Sequence, residues 1–108
     1  MNTLPPLTAE ARASALEAAA AARKKRSDVK ARVKAGALSL PEVLASARSD
    51  EVLAKMPVFD LLKSLPGLGD VRARQVMERL RIAGNRRIGG LGANQRAALE
   101  NEFAPVAA

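Results

Sequence analysis

The sequence predicts an all-α fold, and three observations carry that expectation. Apolar residues recur at helical spacing on both sides of a short turn, at 58, 61, 62 and 65 before Pro66-Gly67-Leu68-Gly69 and at Ala73, Val76, Met77 and Leu80 after it. A stretch from 9 to about 35 is rich in alanine and has high intrinsic helix propensity. Capping residues stand at Thr8, Ser39 and Ser49-Asp50, each ahead of a stretch that reads as a helix.

In chain order, residues 1–7 (Met-Asn-Thr-Leu-Pro-Pro-Leu) read as an extended lead-in. Two prolines exclude a helix there, and Leu4 or Leu7 is available to tuck onto the body. Thr8 caps the long helix, Glu10 complements its dipole and Gly36 terminates it. Leu16 is the main core contact its first half offers. In its second half Ala22, Val29 and Val33 fall on one line, with Arg23, Arg26, Lys30 and Lys34 along one flank and Lys25 and Arg32 along the other. Ser39-Leu-Pro-Glu42 reads as a capping box opening a short helix to about Ala47 or Arg48. Ser49 or Asp50 caps another through about Lys55, and Pro57 starts the next, since proline suits the first helical turn. Beyond the helix ending near Leu80, Ile82 is the expected anchor and Gly89, Gly90 and Gly92 mark a tight loop. Asn94 caps a last helix through about Phe103, with Ala98, Leu99 and Phe103 facing inward and residues 104–108 loose.

Gly67 and Gly69 are expected to supply positive φ and to leave backbone N–H groups uncovered by side chains. At the start of a helix such groups suit an anion, phosphate above all, and Arg72 and Arg74 follow in the first turn. Asp70 stands where a cation or small polar residue would sit more comfortably beside phosphate, and is read as a cap for the following helix. A plain Gly-Pro turn between two packed helices has the same outline. The stretch Leu62-Lys-Ser-Leu-Pro-Gly-Leu-Gly-Asp-Val-Arg-Ala-Arg74 resembles the helix-hairpin-helix element of DNA-binding proteins. That resemblance implies a hairpin that grips the DNA backbone without reading sequence.

At 108 residues the chain is one domain with an arm. Apolar residues make up 48%, but many are alanines and only two are Phe, so the core must be small and built from Leu, Val, Ile and Met. A formal charge of +7 points to a polyanionic partner. The charge is concentrated: residues 23–34 hold seven Lys/Arg against one Asp, and residues 72–96 hold seven Arg against one Glu, while the remainder is net acidic. A charged helix face or an arginine-rich loop is ordinarily just solvated, but two basic islands on an acidic remainder form a binding footprint. Arg86 and Arg87, adjacent and beside flexible glycines such as Gly90, suit a phosphate or a minor groove. Membrane-surface or calmodulin-type use of the basic helix wants bulky apolar residues, which alanine does not provide. Cysteine and histidine are both absent, which removes disulfides, the usual zinc ligands and the usual general base, so neither a metal nor a cofactor is expected. No run approaches the roughly 18 apolar residues of a membrane span, and the N-terminus lacks the apolar core of a signal peptide. A cytoplasmic location with no membrane partner follows as the expectation.

Several segments in order resemble one family. They are Leu-Pro-Pro-Leu-Thr, the Ala-rich helix with Arg-Lys-Lys-Arg-Ser-Asp-Val-Lys, Ser-Asp-Glu-Val-Leu-Ala-Lys-Met, Leu-Pro-Gly-Leu-Gly-Asp-Val-Arg-Ala-Arg-Gln-Val-Met-Glu and Asn-Arg-Arg-Ile-Gly-Gly-Leu-Gly. Together they are similar to the actinobacterial integration host factor, a nucleoid-associated family unrelated to the two-subunit bacterial protein of similar name. The likeness spans nearly the whole chain and is strongest over 49–92. It implies a long N-terminal helix followed by a helix-two-turns-helix body, similar to a small-subunit ribosomal protein and to some DNA glycosylases. On that reading residues 1–36 are the arm and long basic helix, and 37–108 the DNA-binding body. It also implies double-stranded DNA as partner, little sequence preference, bending and compaction, effects on supercoiling, and support of phage integrase on DNA by a protein that is a monomer in solution.

The family's contacting segments carry over to Gly67, Leu68 and Gly69, to Arg72 and Arg74, and to Arg86 and Arg87. Gly90 and the helix cations Arg23, Arg26, Lys30 and Lys34 complete the candidate surface. Where the family often reads Arg-Arg-x-Arg-Gly-Leu-Gly, this chain has Gly89 at the third basic position, which weakens the expectation for that loop. A glycosylase or lyase would need an activated nucleophile, such as an N-terminal proline or a hairpin lysine, yet the chain begins Met-Asn and no Lys occurs between 64 and 108. It is also too short to enclose a flipped base. An RNA-binding ribosomal-type protein with the same body is the other alternative.

Overall fold

The structure, a computed structural model, describes residues 8–104, and all its regular elements are helical. The lead-in expected at 1–7 and the last four residues of the tail expected to be loose lie outside the described residues. Six α-helices run in order: α1 Ala9–Lys34, α2 Leu40–Ala47, α3 Glu51–Ala54, α4 Val58–Ser64, α5 Asp70–Arg79 and α6 Ala93–Glu102, with a 3-10 turn at Ile88–Gly90 before the last.

The starts of the first three helices follow the capping residues of the sequence. Thr8 Oγ1 accepts from the Ala11 N–H at 3.0 Å, Ser39 Oγ from Glu42 at 3.3 Å and Asp50 Oδ1 from Val52 at 3.0 Å. Each satisfies one of the donors a helix start leaves orphaned. Gly36 ends α1 with φ +79°, and Pro57 sits one residue ahead of α4 as its N-cap. The last two helices start differently from expectation. Asp70 is the first residue of α5 and caps nothing; Gly69 holds the cap position. Asn94 likewise lies inside α6, whose cap is Gly92, with the Gln95 side chain accepting from the Gly92 N–H at 3.0 Å.

The core gathers Val33 from α1, Leu40 and Leu44 from α2, Leu53 from α3, Leu61 and Leu62 from α4, Ala73 and Met77 from α5 and Leu99 from α6. Ile82 and Ile88 close it from the segment between α5 and α6. Full burial of one such aliphatic side chain stabilises by about 1.5–3 kcal/mol. Leu16 is not among them: it is 70% exposed, and apart from half-buried Ala11 the first half of α1, residues 9–21, is exposed throughout.

Only the second half of α1 docks, against α3 and α4. The docked line is Ala22, Arg26, Val29 and Val33, so Arg26 belongs to the contact and not to the outer flank. Its guanidinium reaches the Val52 carbonyl at 3.5 Å. One position earlier, Lys25 pairs with Asp50. The Lys25 ammonium, with help from the Val52 and Leu53 N–H groups, holds the Asp50 carboxyl below the usual carboxylate range.

Candidate nucleic-acid interface

The hairpin between α4 and α5 is built by a tight turn. The Leu68 N–H donates to the Leu65 carbonyl at 3.1 Å, with Pro66 second and Gly67 third in the turn. Gly67 has φ +78°, the value a type II turn demands at that position. Gly69 departs from the expectation: its φ is −95°, backbone any residue adopts. Gly69 shares with Gly67 an open position, with nothing within 4 Å of where a Cβ would stand, and it alone of the two is the N-cap of a helix. Helix α5 starts there with no side-chain cap, and its first backbone bond runs from Ala73 back to Gly69 at 2.9 Å. The N–H groups of Gly69, Asp70, Val71 and Arg72 therefore meet no acceptor among the described residues. Arg72 and Arg74 are exposed beside them, as is Asp70, and Leu68 is half-buried under the turn.

The arginine loop is organised by its own cations. An isolated bridge pairs Pro57 with Arg87, made by Val58 N–H to Arg86 carbonyl and Ile88 N–H to Met56 carbonyl, both 2.9 Å. Arg87 Nη1 donates to the Lys55 carbonyl, and Arg86 Nη1 to the Gly90 carbonyl at 3.0 Å. A Cβ on Gly90 would stand 3.2 Å from Arg86 Cδ, so the glycine seats that side chain. Gly89 is packed rather than merely flexible: a Cβ there would meet Ala54 Cβ at 3.1 Å and its carbonyl oxygen at 3.2 Å. Each guanidinium carries five donors, so Arg86 and Arg87 brace the loop and still present N–H groups outward.

The cations of α1 divide. Arg26 is turned into the body, whereas Lys30 and Lys34 share a hollow with Asp60, Lys63 and Ser64 of α4; Arg23 stands exposed farther up the helix. The structure thus brings the lower end of the helix island up to the helix that leads into the hairpin. Lys63, absent from the sequence candidates, sits between the two. Its Nζ lies 5.1 Å from the centre of the Phe59 ring, and Arg74 Cζ lies 5.5 Å from the same centre. The Phe59–Lys63 spacing of four on one helix was readable in the sequence; the approach of Arg74 from α5 was not.

Most of this positive charge is uncompensated. Of 18 Lys and Arg, two are in ion pairs among the described residues, Lys25 with Asp50 and Arg79 with Glu102, the latter at 2.5 Å. The described residues hold no cluster of three or more acidic side chains fit for a metal, and no helix among them is long and apolar enough to cross a membrane.

Comparison with known proteins follows this geometry closely. A family model described as the S13-like H2TH domain matches residues 33–103. The integration host factor of Streptomyces coelicolor is 57% identical over 100 residues, covering 93% of this chain and 94% of that protein. That of Mycobacterium tuberculosis is 53% identical over 100 residues, with 93% and 95% covered. A solved structure of sIHF bound to an 8bp palindromic DNA matches with a TM-score of 0.79 at 53% identity, covering 82% of this chain and 99% of that one.

Proposed function

The chain belongs to the integration host factor family of Streptomyces and mycobacteria, with an S13-like helix-two-turns-helix body, and from that membership we propose that it binds double-stranded DNA through the hairpin side of the molecule. The observation that carries the reading is the open start of α5: four N–H groups without acceptors among the described residues, two exposed arginines beside them, and open space where a Gly69 Cβ would stand. A helix start of that kind favours a phosphate by both hydrogen bonding and dipole. The DNA in the solved relative supports the same partner here.

The proposed contacts are Gly67, Leu68, Gly69, Arg72 and Arg74 at the hairpin, Arg86, Arg87 and Gly90 in the loop, and Arg23, Lys30 and Lys34 on α1. Arg26 contributes through docking α1. On this reading affinity comes mainly from phosphates and counterion release, with little sequence preference. The action is architectural and not catalytic. DNA held both at the hairpin and along α1 is bent, compacted and altered in supercoiling, which is also what a phage integrase needs of its substrate. The site of action is the nucleoid, and the free protein is a monomer.

Titration of a short duplex against salt tests the reading. With about five phosphates neutralised, log K falls against log salt with a slope of roughly −4 to −5. Single strands and structured RNA of equal length bind more weakly at the same salt. An affinity flat across salt overturns the electrostatic account; preference for structured RNA transfers the site to the ribosomal-type alternative.

A further inference from the structure

Resting on that DNA reading, the geometry points to a phosphate clamp formed by Lys63, Phe59 and Arg74, which joins the basic end of α1 to the hairpin as one continuous DNA track.

The cations of this protein fall into two classes. One class is committed to the fold: Lys25 and Arg79 pair with carboxylates, while Arg26, Arg86, Arg87 and Arg96 donate to backbone carbonyls. The other class has no such partner among the described residues, and its members on α1, α4 and α5 lie in sequence across the surface. Lys30 and Lys34 open onto the hollow where Lys63 stands, and Lys63 shares the Phe59 ring with Arg74. Lys30 and Lys34 are also four residues apart on one helix, a like-charge spacing that costs rather than stabilises. Three acidic groups border the track: Asp60 in the hollow, Glu78 in the cleft beside Arg74, and Asp70 at the start of α5 one turn before Arg74. None is within ion-pair distance of Lys63 or Arg74.

Phe59 explains why two cations converge without a carboxylate between them. Its half-buried ring attracts both through its quadrupole, each within the roughly 6 Å over which that attraction acts. The ring fixes the direction of two flexible side chains without neutralising either charge. What completes such a pair is an anion laid across it, and a duplex seated on the hairpin brings its phosphodiester backbone there. Phe59 is a positioning residue; Lys63 and Arg74 are the contacts.

The test uses the full chain and a short duplex. Replacing Lys63 by Gln is expected to weaken binding about three- to tenfold near 0.1 M salt and to reduce the salt slope by about 0.9, the value of one phosphate contact. Arg48→Gln, which removes the same charge from an exposed site off the track, is expected to cost less than about twofold and to leave the slope intact. Phe59→Leu keeps an apolar body but removes the quadrupole. It should weaken binding about two- to fivefold in the wild-type chain and not at all in the Lys63→Gln, Arg74→Gln background. Wild-type binding with equal losses for K63Q and R48Q overturns the clamp while leaving the DNA reading in place. Equal losses for F59L in both backgrounds remove the positioning role. A wild-type chain that shows no salt-dependent duplex binding overturns both readings together.

Discussion

In the hairpin at residues 65–70 the N–H groups at the start of α5 are left open among the described residues, and the arginines beside it hold no backbone group, Arg74 lying over the Phe59 ring. In the loop at 85–92 the N–H groups of Arg86, Ile88, Gly90, Leu91 and Gly92 are bonded, and the arginines add bracing, Arg87 to Lys55 and Arg86 to Gly90. Both regions combine glycine with arginine, but Gly69 leaves open space at a helix start whereas Gly90 seats the Arg86 side chain. The lesson concerns how charge removal should be interpreted. On the proposed DNA reading a loop arginine contributes to binding and to backbone shape at once, whereas a hairpin arginine holds no backbone group and contributes mainly to binding.

The largest expected effect tests that division directly. Neutralising Arg86 and Arg87 together should weaken duplex binding by on the order of ten- to a hundredfold and destabilise the fold by about 1–3 kcal/mol, the worth of two net hydrogen bonds. For a domain of this size each kcal/mol moves the melting temperature by about 4–8 °C. Neutralising Arg72 and Arg74 should weaken binding comparably and shift stability by less than about 1 kcal/mol, the worth of the exposed Arg74–Phe59 contact. Equal melting temperatures for the two double variants would break the comparison.

Next in size is the contrast inside the hairpin. Gly67→Ala places a Cβ on a left-handed residue and should cost about 1–2 kcal/mol. Gly69→Ala has normal φ and open space, so stability should hold or rise by up to about 1 kcal/mol through the unfolded chain. Its effect falls on DNA, where the added methyl obstructs the approach to the N–H groups; thermal melts and duplex titration of both variants separate the two roles. A destabilised Gly69→Ala, or one that binds normally, shows the space before it to be idle.

The smallest effect sharpens the loop side. Gly89→Arg supplies the cation that the family often carries, but its Cβ must displace Ala54. Stability should fall by about 1 kcal/mol from overpacking while the salt slope steepens by about 0.9. The net change in affinity at moderate salt is then a few-fold at most, and the two readings, melt and slope, move in opposite senses.

What the sequence disclosed and what it withheld divide along the range of the interactions. Thr8, Ser39 and Asp50 act on N–H groups two or three residues away, and all three caps were legible. The turn at Pro66-Gly67 was legible for the same reason. Asp70 and Asn94 were misread because side-chain preference outweighed geometry; glycines hold both cap positions, and the Gln95 that serves Gly92 was the local signal overlooked. The pattern on α1 placed Val29 and Val33 correctly but put Arg26 outside, since charge alone does not tell that a carbonyl awaits it 26 residues onward. Arg87 reaches across 32 residues, and Arg74 finds Phe59 only because α4 and α5 pack. Leu16 shows the converse: an apolar residue at helical spacing has no core to join when its half of the helix leaves the body.

That departing half of α1 has a further consequence. Residues 9–21 have no tertiary partner among the described residues, so their order follows a helix–coil equilibrium and not the cooperative melting of the body. Alone, thirteen residues would be too short to stay helical in water, but the docked half supplies the nucleus, and each added turn is only a propagation step. The boundary between wound and unwound chain then moves on a timescale of about nanoseconds per residue. Fully wound, the segment reaches about 20 Å beyond the last docked turn. The alanines that contribute so little to the core set the mean length of this rod, and warming shortens it long before the domain unfolds.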